Sequence, residues 1–157
     1  GGGLDVWHDG YRASFGRRHE RRLTLSADGL RLAGADRFPS LGAERPCRAT
    51  LRFHVHPRAK ASPVADGQGA LIRLASGEAF QFEAEGGRVS VEESIFFADV
   101  AGTRRTEQIV VTVDALTNAD ITWSFTRIER KKKPRGTASA AEPTLPIEPR
   151  SETDPFL

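Results

Sequence analysis

Arg22-Leu23-Thr24-Leu25-Ser26-Ala27-Asp28-Gly29-Leu30-Arg31-Leu32 is the stretch that decides the fold. Leu23 and Leu25 alternate with polar neighbours, Leu30 and Leu32 follow, and Asp28-Gly29 between them supplies the positive φ that a tight turn requires. The segment therefore reads as a β-hairpin with one dry and one wet face. The same period of two returns along the chain, in Leu51, Phe53 and Val55 against Arg52, His54 and His56, in Phe80 and Phe82 against Gln81 and Glu83, and in Val89 and Val91 against Ser90 and Glu92. Ile109, Val111 and Val113 form a further strand, and Ile121, Trp123 and Phe125 form the last. Asp66-Gly67, Ser76-Gly77 and Gly86-Gly87 sit between alternating runs as turn dipeptides. Roughly nine or ten half-polar strands, with no helix longer than a turn, predict an all-β antiparallel sandwich.

A chain of 157 residues, 38% of them hydrophobic, suffices for one such domain, which needs neither metal nor disulfide to fold. The lone Cys47 has no internal partner and is expected as a small, buried or half-buried residue. From Arg130 the composition changes: Lys131-Lys132-Lys133-Pro134 opens a stretch with Pro143, Pro146, Pro149 and Pro155 in which no strand or helix period survives. A folded domain over residues 4–129 and a disordered tail over 130–157 are the expectation. The sequence contains no methionine and begins Gly1-Gly2-Gly3, which reads as a piece of a longer protein. No apolar run approaches the roughly 18 residues of a membrane helix. A net charge of +2 falls short of the excess that marks a dedicated nucleic-acid binder. Neither nucleic acid nor membrane is expected as a partner.

Positive charge is local, at Arg17, Arg18, Arg21 and Arg22, at Arg104 and Arg105, and from Arg127 to Arg135. The first cluster follows Trp7-His8-Asp9-Gly10-Tyr11, so that histidine, tyrosine and arginine together offer a surface suited to an acidic sugar. His8 and Tyr11 could supply a base and an acid. Their spacing fits equally well a turn at a strand end, with Tyr11 packed on the edge and His8 bonded to Asp9. His54 and His56 at i, i+2 would share one face of a strand and could share a metal if a third ligand joined them; the plainer reading is two surface histidines. Arg104 and Arg105 could hold a carboxylate or sulfate, or simply pair with Glu107, Glu92 or Glu93. The sequence has no legible Ser-His-Asp arrangement and no glycine-rich loop opening a helix, which argues against nucleophilic and nucleotide chemistry.

Taken in order, His8-Asp9-Gly10-Tyr11, Phe15-Gly16, His19-Glu20-Arg21-Arg22-Leu23, Arg52-Phe53-His54-Val55-His56-Pro57, Ser76-Gly77-Glu78, Glu92-Glu93-Ser94, Arg104-Arg105-Thr106-Glu107-Gln108-Ile109 and Ile121-Thr122-Trp123-Ser124-Phe125 resemble the carboxy-terminal part of bacterial heparinase II/III-like proteins. The resemblance implies a helical toroid ahead of a β-sandwich region. In members that are enzymes, it implies carbon–oxygen lyase chemistry: β-elimination in which a uronic acid loses its C5 proton and then its O4 substituent. Such chemistry needs a group that neutralises the carboxylate, a base and an acid. The resemblance places these mostly in the toroid, with a further histidine and, in some members, zinc ligands in the first β-strands, which lie upstream of this sequence. His54-Val55-His56 continues into Pro57-Arg58-Ala59-Lys60 and belongs to a later landmark, so no catalytic or zinc role passes to it, nor to His8 and Tyr11.

The expectation is a catalytically silent domain that supports or lines the cleft of a polysaccharide lyase. It has no catalytic residue, metal or cofactor of its own, although the parent protein could carry zinc. Its expected partners are an acidic polysaccharide, the upstream toroid and the first β-strands. The expected substrate-binding residues are His8, Tyr11, Arg21, Arg104 and Arg105. A typical family lyase would be periplasmic; the cytoplasm stays open. Two alternatives stand beside this reading. One is a carbohydrate-binding module whose wet face combines Arg52, His54, Gln81 and Glu83, and the other is a cupin-like metal domain around His54 and His56.

Overall fold

Period-two alternation becomes ten antiparallel strands in a computed structural model that describes residues 1–43, 47–64, 66–97, 102–114 and 120–128. In chain order these are β1 (Gly2–His8), the single-turn helix α1 (Arg12–Phe15), β2 (His19–Leu25), β3 (Arg31–Arg37), β4 (Ala49–His54), β5 (Ala59–Pro63), β6 (Gly69–Leu74), β7 (Ala79–Glu85), β8 (Arg88–Phe96), β9 (Arg104–Val113) and β10 (Ile121–Ile128). A seven-stranded sheet, ordered β1-β2-β3-β10-β7-β6-β5, faces a three-stranded sheet, β4-β9-β8, which is the sandwich that the alternation predicts. The expected tail over 130–157 lies outside the described residues, as does the basic run from Arg130 to Arg135. No helix among the described residues is long and apolar enough to cross a membrane.

The opening hairpin closes as its sequence dictates: Gly29 stands at φ 71° and the Asp28 carboxylate accepts the Leu30 amide at 2.9 Å. Three strands escape the alternation rule. Gly2–His8 opens on glycines, Ala59–Pro63 is built of small and polar residues, and Gly69–Leu74 reads as a mixed apolar run, so none contrasts a dry with a wet face clearly. Cys47 is half-buried, as expected.

The core lies between the sheets, where Phe53 of the small sheet meets Phe82, Trp123 and Phe125 of the large one with ring centroids 4.8–5.6 Å apart. Trp123 pairs with Gly34 across β10 and β3, and its indole lies directly over the glycine. A Cβ at position 34 would come within 2.2 Å of the indole ring. Gly34→Ala should therefore destabilise the domain by about 1–3 kcal/mol through overpacking, measured by urea unfolding. An unchanged midpoint would mean that the indole can move aside freely.

Two readings of the strands change. β4 ends at His54, so His56 sits in the following turn and does not share a strand face with it. His54 Nδ1 lies 3.0 Å from Ser94 Oγ, while His56 Nδ1 accepts the Arg58 amide at 3.1 Å. The proposed wet face is also divided. Arg52 and His54 project from β4 of the small sheet and Gln81 and Glu83 from β7 of the large one, exposed on opposite sides of the sandwich.

Candidate functional site

Strand register brings one row of polar side chains together. His8 lies opposite His19 across β1 and β2, Arg21 lies opposite Asp36 across β2 and β3, and Asp36 lies opposite Ile121 across β3 and β10. Paired residues and residues two apart share a face, so His8, His19, Arg21, Asp36 and Trp123 all project toward the small sheet. Asp36 is fully buried and accepts from Arg21 Nε at 2.7 Å and Nη2 at 3.1 Å, from His19 Nε2 at 2.5 Å and from Trp123 Nε1 at 2.7 Å. Burial pushes its carboxyl up, but the hydrogen bonds from His19, Arg21 and Trp123 outweigh burial and hold it below the usual carboxylate range.

The histidines extend this row to the surface. The Gly10 amide donates to His8 Nδ1 at 3.1 Å, so that nitrogen is an acceptor and the ring proton sits on Nε2. His8 Nε2 then donates to His19 Nδ1 at 3.1 Å, and His19 Nε2 donates to Asp36. The tautomer of each ring follows from its partners. His19 stacks on Phe38 with centroids 4.6 Å apart, and the Tyr11 ring stands 5.2 Å from His8. Asp9 does not bond to His8 as the turn reading expects. It accepts from Arg18 Nε at 2.8 Å, which holds its carboxyl below the usual range, and Arg18 lies 4.4 Å over Trp7. With every imidazole nitrogen engaged, neither histidine stands ready as a base toward a ligand.

Beside the row, a cleft of about 340 Å³ opens between the edge of β4 and β2. Tyr11, Phe15, His19 and Phe38 line one side and residues 47–52 the other. Among the described residues four arginines, Arg17, Arg21, Arg48 and Arg52, line it, and no carboxylate does. Arg17 is itself buried, its Nη1 donating to the Phe38 carbonyl at 2.7 Å.

Of the residues singled out in the sequence, His8, Tyr11 and Arg21 come together: Tyr11 and Arg21 line the cleft, and His8 meets His19 behind it. Arg104 and Arg105 do not join them. They open β9, whereas the cleft residue Leu51 pairs with Val111 near the other end of that strand, roughly 20 Å away at about 3.3 Å per residue. Glu107, one of their expected partners, accepts from the Ala61 amide at 2.6 Å and from Lys60 at 3.4 Å. The sequence reading misses Asp36 and Arg48, and it names Arg52 only on the wet face of a binding module and His19 only as a landmark of the resemblance. Asp36 carries one signal, an acid in phase with Leu32 and Gly34 on a strand face that should be dry.

Residues 2–135 match the sequence model of the family described as heparinase II/III-like, C-terminal. FtsZ-localized protein C of Caulobacter vibrioides is 36% identical over 136 residues, covering 80% of this chain and 23% of that protein. Two solved structures of a heparinase III gene product, the first with methylated lysines, superpose with TM-scores of 0.63 and 0.62 at 10% and 11% identity, a likeness of fold. They cover 82% and 80% of this chain, and this chain spans 19% of each of them.

Proposed function

The chain belongs to the heparinase II/III-like C-terminal family, and from that premise we propose that it forms one wall of an acidic-polysaccharide cleft without performing the chemistry itself. The observation that carries this reading is the cleft, lined among the described residues by four arginines, Tyr11 and Phe15 and by no carboxylate. A guanidinium matches a uronate carboxylate in charge and shape, and an aromatic ring offers a flat face to a sugar. In a β-elimination this wall would neutralise the carboxylate, while the base and acid come from elsewhere in a longer protein. The bonded state of both imidazoles supports the silent role. His8 contributes by holding His19 and Tyr11, and Arg104 and Arg105 would contact only a glycan that extends beyond the cleft.

Incubated with uronate-containing oligosaccharides, the domain should release no unsaturated product, followed by ultraviolet absorbance. Turnover would remove the silent reading. An NMR titration with an oligouronate should shift the amides of the cleft. Arg52→Ala should weaken binding about tenfold, equivalent to about 1.4 kcal/mol. Absence of shifts at millimolar ligand would remove the cleft assignment. The 36% identity to a protein named for localisation with FtsZ favours a second reading, a domain serving a protein stationed with FtsZ rather than a lyase. Imaging a fluorescent fusion alongside FtsZ separates the two.

A further inference from the structure

The row from Gly10 to Asp36 contains three hydrogen bonds and three protons: Gly10 N–H to His8 Nδ1, His8 Nε2–H to His19 Nδ1, and His19 Nε2–H to Asp36. Each ring nitrogen is used once, as donor or as acceptor, so a further proton has nowhere to go without conflict. On His8 it must occupy Nδ1, where it meets the Gly10 N–H across 3.1 Å. On His19 it must occupy Nδ1, where it meets the His8 Nε2–H across 3.1 Å. Sliding protons along the row only moves the clash to the Gly10 end, because an amide cannot surrender its proton. Two donors facing each other repel, and one link opens.

We propose that His8 and His19 form a proton-operated latch on the turn that carries Tyr11 to the cleft. While both rings are neutral the turn is tied through them to the buried Asp36. When either ring takes a proton, that tie breaks and the Asp9–Tyr11 turn is held by the Asp9–Arg18 ion pair and its backbone bonds alone, which loosens it. The turn is where the tie acts, because His8 ends β1, Gly10 supplies the amide, and Tyr11 lies against the His8 ring and lines the cleft.

Charged side chains from three elements and the turn surround the rings. Asp9 of the same turn and Asp36 of β3 are the carboxylates beside them, and Arg12 of α1, Arg18 just before β2 and Arg21 within β2 are the cations. Asp9 is already paired with Arg18 and Asp36 with Arg21. Tyr11 adds a neutral ring on the cleft side. With both carboxylates already paired, the latch rests on hydrogen-bond matching along the row. As a regulation of the cleft the latch rests on the acidic-glycan reading; as a property of the turn it does not.

The test uses the free protein, with no glycan present. Between about pH 8 and about pH 5, the hydrogen-exchange protection factor of the Gly10 amide should fall about tenfold as the His8 and His19 ring resonances titrate. Ring nitrogen shifts at the alkaline end should report both histidines protonated on Nε2. In His8→Asn, the side-chain oxygen still accepts the amide two residues on, as in an Asx turn, but cannot titrate. Its Gly10 protection should be constant across the same interval. Constant protection in the wild type, parallel loss in His8→Asn, or an Nδ1–H tautomer on either ring would each overturn the latch. Failure of the glycan assignment would show only in the oligouronate titration, so the two outcomes stay distinct.

Discussion

Asp36→Asn should lower the stability of the domain by about 3–5 kcal/mol, read as a fall in the urea midpoint at neutral pH. The carboxylate is 0% exposed and takes donors from three side chains that arrive on two different strands, His19 and Arg21 on β2 and Trp123 on β10. Asparagine keeps the shape but offers one acceptor oxygen and places an NH₂ group among donors. Arg21 then loses its buried counter-charge, and either His19 or Trp123 loses an acceptor. The pH dependence has a definite sign. Because the folded carboxyl is held below its ordinary value, Asp36 contributes stability that is fully present above the unfolded carboxylate pKa of about 3.9 and is lost as pH falls through the folded value. Wild type should therefore weaken in that acid window, and Asp36→Asn should lack this component of the loss. A midpoint that does not move at neutral pH would show that Asp36 does not anchor the row.

Trp123→Ala should cost a similar amount, about 3–5 kcal/mol, by removing a core indole that is 5% exposed. The loss combines ring contacts with Phe53 and Phe125 and the 2.7 Å hydrogen bond to Asp36. Trp123→Phe should cost less, because it keeps most of the ring packing and loses chiefly the donor. Since Asp36 and Trp123 touch, the double variant Asp36→Asn/Trp123→Phe should lose less than the sum of the single losses. Strict additivity in that cycle would contradict a shared role in fixing the row.

The sandwich was legible because its signal is local. Leu23 and Leu32, Phe53, Phe82, Ile109 and Val111, and Trp123 and Phe125 each mark a dry strand face within a few residues, although Leu25 stays exposed, and glycine turn dipeptides separate the runs. β1, β5 and β6 were not legible because glycine, alanine and mixed apolar segments carry little contrast, and their pairing to stronger neighbours places them instead. Part of the site was legible for the same local reason: His8, Tyr11 and Arg21 fall in one short stretch at a strand end. Arg104 and Arg105 show the limit of residue type as evidence, since strand direction carries them to the far end of β9.

The sequence by itself determined a β-sandwich of the heparinase II/III-like C-terminal family, with a histidine- and arginine-rich corner at its first strands. Only the tertiary structure decided that the corner is anchored on Asp36. That carboxylate lies 17 residues from His19 and 87 from Trp123, and no local period encodes contacts at those separations. They exist because antiparallel register sets β1, β2, β3 and β10 side by side. Gly34 leaves room for the indole, and burial makes a charged group acceptable only where every lone pair finds a donor.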